Sequence, residues 1–133
     1  MIVVDADIIA AFWLKTERTA AALHARRRDA DWIVPLLWRA EFRSVLRQHL
    51  LHGSLGLADA LWIAEKAEAM LQGCEYAVVS QDVLKLVEQT GHSSYDCEYV
   101  ALAQAQAVRL VTGDRRLAER FPNTAVLLED FVA

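Results

Sequence analysis

Short runs of apolar residues, many of them β-branched, recur along the chain between longer amphipathic stretches. A continuous apolar run of this kind is typical of a strand that is buried on both faces of a parallel sheet. The runs predict strands over residues 2–4, 32–34, 76–79, 108–112 and 125–128.

The stretches between these strands carry apolar residues at helical spacing. They predict one helix that is capped by Thr16 or Thr19 and continues to residue 27, and further helices over residues 7–15, 36–51, 57–71, 81–89, 93–107 and 115–120. Strands that alternate with helices indicate a parallel sheet covered on both faces. We therefore expect an α/β fold, a three-layer α/β/α sandwich with a mostly parallel central sheet of about five strands, formed by residues 1–133 as a single domain.

Composition narrows the class of protein. Of the 133 residues, 55% are hydrophobic and 24% are charged, which is typical of a globular protein and excludes a disordered chain. The net charge of −4 argues against a protein that binds nucleic acid through bulk positive charge, but it is compatible with an enzyme whose acids hold metal ions. No apolar run reaches the roughly 18 residues of a membrane span, and no signal peptide is evident. We expect a cytoplasmic protein without membrane contact.

Two aspartates lie directly beyond predicted strands. Asp5 follows the first strand, in IVVDADIIA, and Asp114 comes two residues after the fourth, in VTGDRRL. In an open parallel sheet the active site forms beyond the carboxyl ends of the strands. Both carboxylates are therefore expected at the same edge of the sheet.

Two further acids lie on predicted helices. Asp96, in SSYDCEYVALA, is near the start of its helix, on an otherwise apolar stripe. Glu41, in PLLWRAEFRSVL, lies in the middle of its predicted helix on a face shared with Leu37, Trp38, Ser44 and Val45. We expect that face to be buried, and an unpaired buried carboxylate costs on the order of several kcal/mol or becomes neutral. Glu41 therefore requires a cationic or metallic partner.

The aspartates also have purely structural interpretations. Asp5 and Asp114 are both placed to cap the helices that follow them, and Ser93 with Asp96 has the spacing of a capping box. Asp7 suits the first turn of a helix, where the helix dipole stabilises negative charge. From the residues alone, capping and catalysis both remain open at these positions.

Carboxylates that converge at one edge of a sheet repel one another unless a cation lies between them. Hard oxygen ligands suit Mg²⁺ or Mn²⁺, and acid clusters that hold these ions commonly carry out phosphoryl chemistry. The sequence therefore indicates a metal-dependent site formed by Asp5, Glu41, Asp96 and Asp114.

A family resemblance is carried by three segments in order: VVDADIIAAF, PLLWRAEFRSVL and SSYDCEYVALAQAQAVRLVTGDRRLAERF. Together they resemble the PIN-domain ribonucleases, and most of all the short VapC-type toxins of bacterial toxin–antitoxin pairs. The resemblance covers nearly the whole chain and is most specific from Ser94 to Leu117. It implies metal-dependent endonucleolytic cleavage of RNA, homodimers, and inhibition by a cognate antitoxin that covers or enters the active-site groove.

The resemblance also implies roles for individual residues. It assigns one or two Mg²⁺ or Mn²⁺ ions to the same set of ligands, Asp5, Glu41, Asp96 and Asp114. Thr112 matches a polar position that often supports the site. Asp7 departs from the family, which more often has a small hydroxyl residue there, and three consequences remain open: added charge near the site, altered metal affinity, or no effect.

Cations that could contact the substrate follow the last acid. Arg115 and Arg116 come directly after Asp114 and are candidates for contacts with the RNA backbone, because phosphate-binding cations usually provide RNA affinity. The alternative for both is ordinary charge on a helix surface.

Two other functions fit parts of the sequence. An apolar strand followed by D-x-D resembles the start of haloacid-dehalogenase-type phosphatases, in which Asp5 would be the nucleophile and Asp7 the general acid/base. That family continues with small residues, whereas Ile8 and Ile9 follow here, and Glu41 would have no role. A non-catalytic interaction module, whose acids bind a partner's arginines, is the other alternative.

Overall fold

The central sheet of the computed structural model, which describes residues 1–133, consists of five parallel strands. In chain order the strands are β1 (Ile2–Val4), β2 (Trp32–Pro35), β3 (Glu75–Tyr76), β4 (Leu110–Thr112) and β5 (Ala125–Leu127). Their order in the sheet is β3-β2-β1-β4-β5, so the first strand occupies the centre. β2 pairs with one side of β1 and β4 pairs with the other. Open α/β sheets bind ligands at such a reversal of strand order, beyond the carboxyl ends of the strands.

Eight helices connect and follow the strands: α1 (Ala6–Trp13), α2 (Thr19–Arg28), α3 (Trp38–Leu51), α4 (Leu57–Met70), α5 (Ser80–Thr90), α6 (Ser94–Gln106), α7 (Arg115–Arg120) and α8 (Leu128–Phe131). Alternate residues of β1 point to opposite faces of the sheet. Ile2 and Val4 belong to one apolar cluster, with residues of α1, α3 and α4, whereas Val3 belongs to a second cluster, with residues of α5, α6 and α7. The predicted three-layer α/β/α fold is confirmed, and the sheet is parallel throughout.

Two predicted boundaries are wrong around the second and third strands. The strand predicted over residues 76–79 is limited to Glu75–Tyr76, because the chain turns into α5 from Ser80. The helix predicted from residue 36 begins at Trp38 instead. The reason is that the sheet continues further: Pro35 is in register with Tyr76, and the Leu36 amide still donates to the Tyr76 carbonyl at 3.1 Å.

Other differences concern short elements. The strand predicted from residue 108 starts at Leu110, and the four-residue helix α8 was not predicted. Neither candidate threonine caps α2, whose cap residue is Arg18 without a side-chain hydrogen bond. Instead Thr19 Oγ1 accepts from the Thr16 amide and donates to the Leu14 carbonyl, both at 2.9 Å, which secures the turn after α1. No helix combines the length and the apolar character that a membrane crossing requires.

The end of α6 provides a test of backbone strain. Ala107 ends the helix in the left-handed region, with φ 54° and ψ 43°, where a Cβ atom is unfavourable. We expect Ala107→Gly to raise the free energy of unfolding by about 0.5–1 kcal/mol, measured by urea denaturation. Ala105→Gly, two residues earlier on the exposed side of the same helix, should lower it by a similar amount. Equal effects of the two substitutions would contradict this account.

Candidate active site

Asp5 lies at the carboxyl end of the central strand and is held on both of its oxygens. It is 7% exposed. Its Oδ1 accepts from the Ile8 amide at 3.2 Å and so caps α1, and its Oδ2 accepts from the Thr112 hydroxyl and from the Gly113 amide at 3.3 Å. Burial, followed by the negative charge of Asp7, raises the pKa of Asp5 to about 7, although the three hydrogen bonds oppose the change.

Thr112 connects Asp5 to Asp114. The fully buried Thr112 hydroxyl donates to Asp5 and accepts from the Asp114 amide at 3.0 Å. Asp114 Oδ1 in turn accepts from the amides of Arg116 and Leu117, at 2.9 and 3.3 Å, and caps α7. The two strand ends therefore meet at one edge, as predicted, and both aspartates also act as the helix caps that the sequence left open.

Asp7 occupies the centre of the acidic cluster. It lies in the first turn of α1. Burial by the surrounding protein raises the pKa of its side chain, which stays accessible to water, and the charges of Asp114 and Asp96 raise it further. Asp7 also raises the pKa values of Asp5 and Glu41. It is thus close enough to interact with all four predicted ligands.

Glu41 faces the same cluster, but its environment differs from the prediction. Because α3 begins at Trp38, Glu41 lies in the first turn of the helix and not in its middle. The buried stripe of α3 consists of Trp38, Phe42 and Leu46, and Glu41 lies beside it, half-buried, at the wall of a groove. Burial raises the pKa of Glu41, and the charge of Asp96 raises it further.

Asp96 lies in the first turn of α6, as predicted. Its backbone amide donates to Ser93 Oγ at 3.1 Å, which is the capping bond that the Ser93–Asp96 spacing indicated. The Asp96 carboxylate caps no helix, and the one basic side chain within 4 Å of it is His92, whose Nδ1 lies 3.8 Å from Oδ2. Among the predicted ligands, the Asp96 side chain therefore has the smallest structural role.

Beneath the cluster, Tyr99 places a buried hydroxyl that has no hydrogen-bond partner of good geometry. Burial raises the pKa of Tyr99 far above its usual value, and the negative charge of Glu41 contributes next. The same hydroxyl opposes the upward shift of the Glu41 pKa, so the two groups lie close together. A buried polar atom without a partner at this place is consistent with a site that admits a ligand.

Arg18 is a functional candidate that sequence reasoning missed. Its Nε and Nη2 donate to the two carboxylate oxygens of Glu129, at 2.8 and 3.1 Å, and its Nη1 donates to the Gly113 carbonyl at 3.1 Å. The guanidinium lies near Asp7 and lowers its pKa. A Cβ atom at Gly113 would lie 2.8 Å from Arg18 Nη1 and 2.9 Å from Asp7 Cβ, so only glycine fits there.

The two arginines predicted to contact substrate lie at the margin of this cluster. Arg115 and Arg116 begin α7 directly after Asp114, and both side chains are exposed. The structure thus places them beside the carboxylates and open to solvent, which suits either a phosphate contact or ordinary surface charge.

A groove of about 560 Å³ leads away from the carboxylates along one face of α3. Asp7, Glu41 and Tyr95 line one end, and Ser44, Gln48 and His49 continue the wall. Leu37, Ser44 and Val45, which the sequence placed on a buried face with Glu41, therefore line this groove in part.

The donors of the cluster fit a hard divalent cation. They are carboxylates, and burial together with their mutual repulsion raises the pKa values of Asp5, Asp7 and Glu41. A bound dication would reduce the unfavourable free energy of ionising these groups. As the side chains lie, no three acidic, histidine or cysteine groups are arranged to enclose a metal ion. The side chains would therefore have to move to enclose a metal ion.

The chain is similar to known proteins in both sequence and fold. Residues 2–121 match the model of the PIN domain. Ribonuclease VapC3 of Pyrobaculum aerophilum is 35% identical over 130 residues, which covers 91% of this chain and 95% of that protein. Ribonuclease VapC9 of Mycobacterium tuberculosis is 34% identical over 124 residues, which covers 90% of each. The crystal structure of PAE2754 from Pyrobaculum aerophilum is similar in fold, with a TM-score of 0.77 and 21% identity over 98% of this chain and 92% of that one.

The phosphatase alternative is not supported. The matched model is the PIN domain and not a haloacid dehalogenase. Moreover, both oxygens of Asp5 accept hydrogen bonds within the protein, and the group is buried, which leaves it poorly placed as a nucleophile.

The raised pKa of Asp5 predicts how stability depends on pH without metal. Between about pH 4 and pH 7 the folded state binds more protons at Asp5 than the unfolded state, so the free energy of unfolding falls as pH rises. Asp7 and Glu41 contribute with the same sign. We expect urea denaturation in EDTA to show a loss of about 2–4 kcal/mol between about pH 5 and pH 8.

Two variants provide the controls for this measurement. Asp5→Asn removes the titrating group and should flatten most of the slope, whatever its effect on absolute stability. Asp82→Asn, on the exposed side of α5, should leave the slope unchanged. Stability that rises from pH 5 to pH 8 in the unsubstituted protein would contradict the prediction.

Proposed function

The chain belongs to the PIN-domain family, and on that premise we propose that it is the ribonuclease toxin of a toxin–antitoxin pair, an endonuclease that hydrolyses RNA phosphodiester bonds with the help of a divalent metal ion. One observation carries the proposal: acids from β1, α3, α6 and the loop after β4 gather around Asp7 in a chain that is 35% identical to a VapC ribonuclease over 91% of its length.

Asp5, Glu41, Asp96 and Asp114 are the proposed ligands of Mg²⁺ or Mn²⁺. The chemistry that such an ion supplies is an activated water and neutralisation of charge on the scissile phosphate. Asp5 and Asp114 present oxygens whose positions are fixed by backbone amides, so they form the rigid part of the site. Glu41 and Asp96 make no such bonds and can adjust to the ligand.

Thr112 and Asp7 are proposed to support this set. Thr112 holds Asp5 in one orientation through its hydroxyl and keeps the β4–α7 turn against it. Asp7 adds negative charge at the centre of the cluster, which increases the attraction for a dication, and Arg18 limits that charge from the side of Gly113. Arg115 and Arg116 are proposed to contact RNA phosphates at the margin of the groove.

The partners follow from the same premise. The substrate is RNA, and a cognate antitoxin protein is proposed to inhibit the enzyme by covering the groove, in keeping with the VapC-type relatives. A homodimer is proposed as the working form. The alternative of a non-catalytic module would require that the purified chain leave RNA intact.

Cleavage by the purified chain tests the proposal. With Mn²⁺ we expect cleavage of a mixed RNA pool that EDTA abolishes. Asp96→Asn should lower the rate by more than about a hundredfold, roughly 2.7 kcal/mol in activation free energy, without unfolding the protein, because the Asp96 carboxylate caps no helix. Asp82→Asn should cleave normally. A fully active Asp96→Asn variant would rule out this site.

Metal binding provides a second test that does not depend on activity. Because a dication offsets repulsion in the folded state alone, millimolar Mg²⁺ or Mn²⁺ should raise the melting temperature, and the increase should shrink in Asp96→Asn. The matched variant Asp82→Asn should retain the full increase. A melting temperature that is insensitive to both ions would argue against metal binding by this cluster.

A further inference from the structure

An exposed aromatic ring stands at the margin of the groove beside the carboxylates. Tyr95 directly precedes Asp96 at the start of α6, lines the same cavity as Asp7 and Glu41, and is 59% exposed. The aromatic rings of Trp38 and Tyr99, by contrast, are buried in the apolar clusters. The Tyr95 ring is therefore available to a ligand in the groove.

One wall of the groove follows a single helix, α3, and carries both polar and apolar side chains. Glu41, Ser44, Val45 and Gln48 lie at the helical spacing that places side chains on one face of α3, and all of them line the cavity. From Glu41 to Gln48 this wall extends roughly 10 Å away from the acids. The Ser44 hydroxyl and the Gln48 amide are exposed and offer both hydrogen-bond donors and acceptors.

The charge of the lining indicates which part of a nucleic acid fits. No lysine or arginine is among the ten residues that line the groove, and two acids stand at one end. Phosphate groups require cations, so this wall is poorly suited to an RNA backbone. An exposed aromatic ring and hydrogen-bonding side chains that line one groove are instead the combination that binds unpaired bases, which stack on the ring and bond through their edges. The volume of 560 Å³ is in the range of small-ligand sites.

We propose that the groove binds an unpaired base next to the scissile phosphate, and that Tyr95 is the stacking platform for that base. The inference rests on the proposed ribonuclease function and adds to it a residue that positions the substrate, the Tyr95 ring. A base in a duplex is paired and stacked within the helix, so it cannot stack on Tyr95 without leaving the duplex.

Steady-state cleavage of a short single-stranded RNA in Mn²⁺ tests the role of the ring. Tyr95→Ala should raise KM about tenfold or more with little change in kcat, since stacking holds substrate and transition state alike. Tyr95→Phe keeps the ring and should stay within about twofold of the unsubstituted enzyme. Leu84→Ala, at a similarly exposed apolar residue of α5 outside the groove, should have no effect. An unchanged KM for Tyr95→Ala would overturn the inference.

Binding without cleavage separates this inference from the proposed function. In an Asp96→Asn background with Mn²⁺, fluorescence anisotropy compares labelled single-stranded RNA with the same RNA annealed to its complement. Binding that favours the single strand and weakens about tenfold with Tyr95→Ala supports the base site, even if the unsubstituted chain cleaves no RNA and the nuclease proposal fails.

The opposite results would overturn it. Equal affinity for single strand and duplex, or affinity that Tyr95→Ala leaves unchanged, would mean that Tyr95 stacks on no base. Such a result in a chain that does cleave RNA would overturn the base site and leave the nuclease proposal intact.

Discussion

The constraint on which the rest of the structure depends is the concentration of negative charge at the carboxyl edge of the sheet. Four helices, α1, α3, α6 and α7, begin at this edge, and every acid of the cluster is either a cap residue or a first-turn residue of one of them. Helix N-termini carry partial positive charge and unpaired amide groups, so they stabilise nearby carboxylates. The sheet order brings these N-termini together by placing β1 between β2 and β4.

Helix capping and the proposed metal binding therefore use the same carboxylate groups. Asp5 and Asp114 satisfy helix amides through hydrogen bonds that also fix where their remaining oxygen surface points. The pKa values show that these bonds do not remove the strain, since Asp5, Asp7 and Glu41 all remain harder to ionise than free carboxyl groups. Apolar packing on both faces of β1 provides the stability that offsets the unfavourable burial and repulsion of these carboxylates.

Sequence patterns predicted the parallel sheet and the edge where the acids meet, because both follow from local periodicity and from the position of residues after strands. The pattern wrongly placed Glu41 in the middle of its helix. The start of α3 depends on the hydrogen bonds between β2 and β3, which continue through Pro35 and Leu36 and pair with a strand far away in the sequence. Arg18 could not have been predicted, because Gly113 and Glu129, its partners, are 95 and 111 residues away in the chain. The exposure of Tyr95 could not be predicted either, because the helical spacing defined only the stripe of α6 that carries Asp96 and Tyr99, and Tyr95 lies outside that stripe.

The four proposed ligands divide into a fixed pair and an adjustable pair, and this division separates helix capping from the proposed metal binding. Substitution of Asp5 or Asp114 removes a helix cap together with any ligand, so loss of activity in such variants confounds the two effects. Asp96 and Glu41 cap nothing, and their side chains face the groove or its margin. Because Tyr95 and Asp96 are consecutive in the first turn of α6, any movement of that turn shifts the base platform and the carboxylate together. If the proposed base site and metal site are both correct, the start of α6 couples the binding of a nucleotide to the geometry of the acidic cluster.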